Sequence, residues 1–101
     1  MAWGLEKLGT PHKPFYIPRP NVTDYQVKFE MLYCGVCHSD CHMGKNDWDM
    51  ACYPMVPGHE LLGKVVEIGN KVTKFKVGDT VGVGCFIESC QECPSCKEGN
   101  E

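Results

Sequence analysis

The sequence predicts a mostly-β protein, a partial barrel of short strands with one short helix. Apolar and polar residues alternate from Tyr25 to Tyr33, the period of a strand with one buried face. Turn signals centred on glycine recur at close spacing from Gly69 onward, as in sheets of short antiparallel strands. Between these regions, the segment from Cys37 to about Lys45 lacks proline throughout and lacks glycine until Gly44, so it fits a short helix.

The first part of the chain is predicted to be extended. Residues 1–20 are rich in proline and glycine, which excludes a helix and favours an extended edge or a loop. A turn at Asn21–Asp24 then leads into the strand that starts at Tyr25. Leu32 interrupts the polar face of this strand, which indicates that the end of the strand enters the core.

The part after the helix returns to β structure. Residues 46–57 are predicted to form a loop with an extended, proline-bearing end. Strands are predicted at Leu61–Ile68 and Thr80–Val83, and the β pattern continues at Val72–Val77 between two turns.

Length and charge bound the function. A chain of 101 residues holds one domain at most, and a net charge of -3 argues against nucleic acid as a partner. No apolar run is long enough to cross a bilayer, and no secretory signal is visible at the start, so a cytoplasmic protein without membrane contact is expected.

The eight cysteines favour metal binding over disulfides, because no secretory signal accompanies them. Three recur at two-residue spacing, Cys90, Cys93 and Cys96, which is typical of a closed structural zinc site. Four others are predicted to be small buried hydrophobic residues: Cys34, Cys41, Cys52 and Cys85.

A second set of ligand types suggests an open, catalytic metal site. Cys37, His59 and Glu60 offer a thiolate, an imidazole and a carboxylate, which are the groups that catalytic zinc prefers. Cys37 and His59 are too far apart to share a helix turn, so only a folded core could bring them together. A His-Glu-x-x-His protease is excluded because Gly63 stands where its second histidine would be.

Several motifs carry a family resemblance. The run from Gly58 to Val72 reads G-H-E-x2-G-x5-G-x2-V and resembles the signature of zinc-containing alcohol dehydrogenases of the medium-chain dehydrogenase superfamily. The segment Tyr33–Asp40 resembles the same family's first zinc-ligand segment. Lys45–Trp48 and Gly78–Gly84 are most similar to the cinnamyl-alcohol-dehydrogenase branch. The resemblance runs from about Tyr25 to the end of the chain.

The resemblance implies a GroES-like fold, with residues 1–101 forming an N-terminal catalytic domain that is truncated within its structural-zinc lobe. The family's third catalytic ligand and its dinucleotide-binding Rossmann domain are expected to be absent from this chain. It also implies a homodimeric parent enzyme that interconverts primary aromatic or allylic alcohols and aldehydes with NADP(H). This segment alone is expected to be inactive.

The resemblance implies that six residues bind metal and that a seventh, Asp40, orients one of these ligands. Cys37 and His59 would bind the catalytic zinc, and Glu60 would serve as an alternate ligand during exchange of substrate and water. Asp40 would hold the ring of His59 and fix its tautomer. Three ligands of a structural zinc would be Cys90, Cys93 and Cys96.

Four further residues would act on substrate and cofactor. Ser39 would begin a proton relay from the alcohol, and His42 would end it near solvent. His38 would approach the cofactor pyrophosphate, and Trp48 would line the substrate pocket. Without the resemblance, Ser39 and Asp40 would cap a helix, Trp48 would be core, and the two histidines would be surface residues.

Two alternatives stay open, each from another class of protein. A free-standing zinc-binding structural or interaction module would use Cys90, Cys93 and Cys96 but has no use for the set of Cys37, His59 and Glu60. A co-chaperonin-like subunit would share the fold and need no zinc ligands.

Overall fold

A computed structural model describes residues 1–100. Within them the chain forms strands, two helices and the connecting loops. In chain order the elements are β1 (Ala2–Gly4), β2 (Lys13–Phe15), β3 (Val27–Cys34), α1 (His38–Lys45), β4 (Leu61–Ile68), β5 (Thr80–Val83) and α2 (Pro94–Lys97).

The central feature is an antiparallel sheet in the order β3-β4-β5. The β3–β4 pairing runs from Val27 opposite Ile68 to Cys34 opposite Leu61, with two local shifts in register. At the tight turn before β5, Gly78 has a φ of 96°, a conformation that suits glycine. β4 and β5 lie where they were predicted, and the mostly-β class is confirmed.

The contact between β3 and β4 depends on one glycine. A side chain at Gly63 would lie 2.1 Å from a ring carbon of Phe29, so the aromatic ring occupies the space above the glycine. Val65, two residues along β4, has 1% of its surface exposed and is the most deeply buried large side chain of residues 1–100. The β3–β4 pairing is therefore closely packed around Gly63 and Val65.

A second, two-stranded sheet ties the start of the chain to the middle of the chain. β1 and β2 pair with Ala2 opposite Phe15. Directly after β1, Leu5 exchanges two 2.8 Å backbone hydrogen bonds with Met55. The buried Leu5 side chain faces Gly44 of helix α1, so this ribbon supports the helix. The extended start that the prolines predicted is thus two short strands.

Two expectations about strands were wrong. Residues 72–77 form a loop, in which the Val72 amide donates to Gly69 in a turn. The end of β3 does not enter a core, because Leu32 is 53% exposed. The expectation of one short helix was also wrong, because a second helical turn, α2, begins at Pro94 in the cysteine-rich segment.

The expected burial of four cysteines was also wrong. All are exposed: Cys34, Cys41, Cys52 and Cys85. The physical reason is the size of the core, since the buried hydrophobic side chains of residues 1–100 are Leu5 and Val65 alone.

The strands of the described part do not close into a barrel. Neither of its two helices has the length and apolar character that crossing a membrane requires.

Candidate metal centres

Helix α1 begins at the first candidate ligand. Cys37 is the N-cap, with an extended backbone, and its N–H donates to Asp40 Oδ2 at 3.1 Å. The negative charge of Asp40 in the first turn also interacts favourably with the helix dipole and so stabilises the helix. The helix ends at Asn46, which adopts the left-handed conformation with a φ of 57°. Local helix signals therefore fix the backbone on which Cys37 lies.

The β3–β4 ladder brings the other two ligands to Cys37. One residue beyond the last strand pair, the Gly35 N–H donates to the Glu60 carbonyl at 2.8 Å. The candidate ligand atoms of Cys37, His59 and Glu60 consequently all lie within 4.8 Å of one another. Sulfur, imidazole nitrogen and carboxylate oxygen form a donor set that fits zinc. The expected convergence of these three residues across the fold is present.

Asp40 joins the parts of this centre. Besides accepting the Cys37 N–H, its carboxylate accepts the N–H of Gly58 at 3.0 Å through Oδ1. The same Oδ1 lies 3.3 Å from Nδ1 of His59. A partner on Nδ1 leaves Nε2 available to a metal and orients the ring. One carboxylate thus caps the helix and also faces His59.

Hydrogen bonds shift the pKa values of two candidate ligands, Cys37 and His59. Cys37 Sγ lies 3.4 Å from Ser39 Oγ, and hydrogen bonding from Ser39 lowers the pKa of the Cys37 thiol. Hydrogen bonding with Cys37 in turn raises the pKa of His59. The thiolate is the form that binds metal, so Ser39 favours the binding-competent state of Cys37.

A row of rings runs along the exposed side of α1. The ring centroid of His42 lies 4.7 Å from that of His38 and 5.1 Å from that of Trp48. His42 Nδ1 is 2.8 Å from Asp47 Oδ2, and the Asp47 N–H donates to the His42 carbonyl. Trp48 is 49% exposed and is not a core residue. Asp47 was missed by sequence reasoning, and its only signal was a carboxylate just past the helix end.

The two proposed relay residues, Ser39 and His42, have different hydrogen-bond partners. Within residues 1–100 no hydrogen bond joins Ser39 to His42. Ser39 faces Cys37, whereas His42 faces Asp47.

The second centre is the cysteine-rich lobe. The sulfur atoms of Cys90, Cys93 and Cys96 lie within 4.8 Å of one another, and Cys93 is 3.4 Å from Cys96. Cys93 is the N-cap of α2, and Pro94 at the first helical position suits a helix start. Backbone N–H groups of Glu92 and Cys93 lower the pKa of Cys90 to about 7. Three converging thiols fit a soft metal such as zinc.

The chain matches a known protein family over most of its length. The family described as "Alcohol dehydrogenase GroES-like domain" matches residues 23–101. The chain is 57% identical to mannitol dehydrogenase of Petroselinum crispum over 87% of its length, which is 26% of that relative. It is 56% identical to cinnamyl alcohol dehydrogenase 8 of Arabidopsis thaliana, again over 87% of the chain and 24% of the relative.

Solved structures show the same fold. A cinnamyl alcohol dehydrogenase of Sorghum bicolor superposes with a TM-score of 0.95 at 45% identity, covering 99% of this chain and 28% of that one. The Helicobacter pylori enzyme complexed with NADP(H) also gives 0.95, at 43% identity, over 99% of this chain and 29% of that one. The chain thus spans about a quarter of the length of the curated relatives it matches. With most of its residues matched by one family and its ligand candidates converging at two centres, the chain belongs to the alcohol dehydrogenase GroES-like domain family.

Proposed function

We propose that residues 1–101 are the N-terminal part of the catalytic domain of a zinc-dependent alcohol dehydrogenase. The parent enzyme interconverts primary aromatic or allylic alcohols and aldehydes with NADP(H). The observation that carries this proposal is the convergence of Cys37, His59 and Glu60 in a chain of this family. The names of the relatives, cinnamyl alcohol and mannitol dehydrogenases, support an alcohol as the substrate.

Cys37 and His59 hold the catalytic zinc, and Glu60 is a third group within reach of it. When bound, zinc supplies Lewis-acid chemistry that favours the deprotonated alcohol. Asp40 keeps the His59 ring oriented, and Ser39 stabilises the Cys37 thiolate. Cys90, Cys93 and Cys96 hold a second, structural zinc.

Ser39 and His42 handle the proton. Ser39 accepts the alcohol proton at its Oγ and passes its own hydroxyl proton to a bridging hydroxyl of the substrate or cofactor. That hydroxyl passes its proton to His42, and His42 releases a proton to solvent. Asp47 holds the His42 ring through its 2.8 Å contact with Nδ1. General acid–base steps of this kind contribute about 10²–10⁴-fold to turnover.

His38 and Trp48 flank this route and face cofactor and substrate, respectively. The Helicobacter pylori relative is complexed with NADP(H), which supports the same cofactor here. The nicotinamide is the hydride carrier, and the protein positions it. We further propose that the parent is a cytoplasmic homodimer whose nucleotide-binding domain lies outside residues 1–101.

The test uses the full-length parent enzyme. Its zinc content is measured for the wild type and for Cys37→Ser, and oxidation of a cinnamyl-type alcohol is assayed with NADP⁺ and with NAD⁺. We expect two zinc ions per chain, loss of one in the variant, and loss of turnover with it. Unchanged zinc content and no turnover by the wild type would favour a zinc-binding structural module. A protein without zinc would favour a co-chaperonin-like subunit.

A further inference from the structure

Gly35 lies against the side chain of Glu60. It follows β3 directly, and its N–H donates to the Glu60 carbonyl at 2.8 Å. A Cβ placed on Gly35 would lie 2.4 Å from Glu60 Oε2, 2.9 Å from Glu60 Cβ and 3.2 Å from Glu60 Cδ. The φ of Gly35 lies outside the left-handed region, so the backbone itself would accept alanine. The contact with Glu60 is what requires glycine here.

Other tight glycines of the chain face structural neighbours. Gly63 makes room for the ring of Phe29, and Gly69 makes room for backbone atoms of a turn. Gly35 differs because the three nearest atoms to its missing side chain all belong to one candidate metal ligand. That ligand, Glu60, is held within 4.8 Å of the other two. The empty space at Gly35 is therefore part of the metal centre.

We propose that Gly35 is a positioning residue for Glu60, holding open the space in which the carboxylate lies beside the metal. The inference rests on the proposed function. A methyl group at Gly35 cannot be accommodated by rotating the carboxylate alone, because Glu60 Cβ is fixed to the backbone only 2.9 Å away. The two segments would have to separate, against the 2.8 Å hydrogen bond that joins them. Either response moves the carboxylate away from its place at the centre.

The experiment is a double-mutant cycle in the full-length parent enzyme, with Gly35→Ala, Glu60→Gly and the double variant. Zn²⁺ affinity is measured by competition with a chelator, and stability by the urea midpoint of the metal-free protein. We expect Gly35→Ala alone to weaken Zn²⁺ binding about 10–100-fold, the range of changes in groups that position ligands. In the Glu60→Gly background the same alanine should change neither affinity nor midpoint, because the side chain it displaces is gone.

The matched control is Gly84→Ala. Gly84 also has a φ outside the left-handed region, and an added Cβ there has no neighbour within 4 Å in residues 1–100. This variant should keep the wild-type Zn²⁺ affinity and midpoint.

Two results would overturn the assignment of Gly35. One is wild-type Zn²⁺ affinity in Gly35→Ala while Cys37→Ser loses its zinc, which would leave the proposed function intact. The other is an equal cost of the alanine with and without the Glu60 side chain, which would identify Gly35 as a general structural glycine. If Cys37→Ser keeps all of its zinc, the proposed function fails, and the role of Gly35 fails with it. Should Gly35→Ala fold too poorly to assay, recovery of folding in the double variant supports the proposal and lack of recovery contradicts it.

Discussion

Replacing Asp40 by alanine should destabilise the protein and weaken the catalytic zinc site together. The carboxylate accepts N–H groups from Cys37 and Gly58 and faces His59 at 3.3 Å, with 17% of the Asp40 side chain exposed. Loss of the helix cap costs about 0.5–2 kcal/mol. Loss of a charge-assisted bond to the Gly58 N–H costs about 1.5–3 kcal/mol. The two contributions together predict a loss of about 2–5 kcal/mol.

The assay is urea unfolding of the metal-free parent enzyme, paired with chelator competition for Zn²⁺. Zinc affinity should fall about 10–100-fold, because the ring of His59 loses the group that orients it. Asp79→Ala is the control, since Asp79 accepts a backbone N–H from Lys76 at 3.0 Å and contacts no candidate ligand. It should cost about 0.5–1.5 kcal/mol and leave zinc affinity unchanged. Equal behaviour of the two variants in both measurements would refute the linking role of Asp40.

Three further outcomes are expected. Cys37→Ser and His59→Ala should each abolish alcohol oxidation and remove one zinc per chain by elemental analysis, and full activity in either would contradict the ligand assignment. Ser39→Ala should lower turnover by about 10²–10⁴-fold with unchanged zinc content, and it should raise the pKa of Cys37 in the metal-free protein as followed by thiolate absorbance. Wild-type turnover there would mean that the proton leaves by another path. The pKa of Cys90 is lowered from 9.0 to about 7, so the stability it contributes to the metal-free protein is present above about pH 9 and is lost as the pH falls through about 7. Unfolding midpoints at pH 9 and pH 6 should therefore differ less in Cys90→Ser than in the wild type, and an equal difference would show that the thiol is not the cause.

Two strands of the sheet could be predicted from the turns next to them. β4 and β5 have the predicted bounds, because the turn at Gly69 marks the end of β4 and the turn at Gly78 marks the start of β5. The bounds of helix α1 were also predicted closely: the helix follows its N-cap Cys37 and ends at Lys45, before its C-cap Asn46. These elements depend on local signals, which a sequence displays directly.

The wrong predictions concern residues whose structure or burial depends on contacts with distant parts of the chain. Residues 72–77 alternate like a strand, yet no neighbouring strand pairs with them in residues 1–100. Cys34 and Cys41 were predicted to be buried from the habits of cysteine, but this chain has too small a core to cover them. Exposure depends on the total packing around a residue, which no local pattern records.

In the candidate site, too, some residues could be predicted from the sequence and others could not. Cys37, His59 and Glu60 were named from residue types and motif spacing, and the fold brings them together. The contact between His42 and Asp47 could not be foreseen, because it depends on the left-handed turn that ends α1. The role proposed for Gly35 was not predicted either, because it depends on the absence of a Cβ atom next to the Glu60 side chain, a contact that only the folded structure shows.

The β3–β4 ladder ends directly at the metal centre, and this has a consequence for the order of folding. Residues 35–60, including all of α1, form one long connection between Cys34 and Leu61, the last paired residues of the two strands. Closing a loop of this length costs about 3 kcal/mol in chain entropy beyond a constant term. Pairing of the two eight-residue strands offsets that cost, and its last pair, Cys34 opposite Leu61, holds the two ligand-bearing segments side by side. Zinc uptake in a refolding experiment should therefore follow strand pairing, and a substitution that frays the far end of the sheet should delay metal binding without touching a ligand.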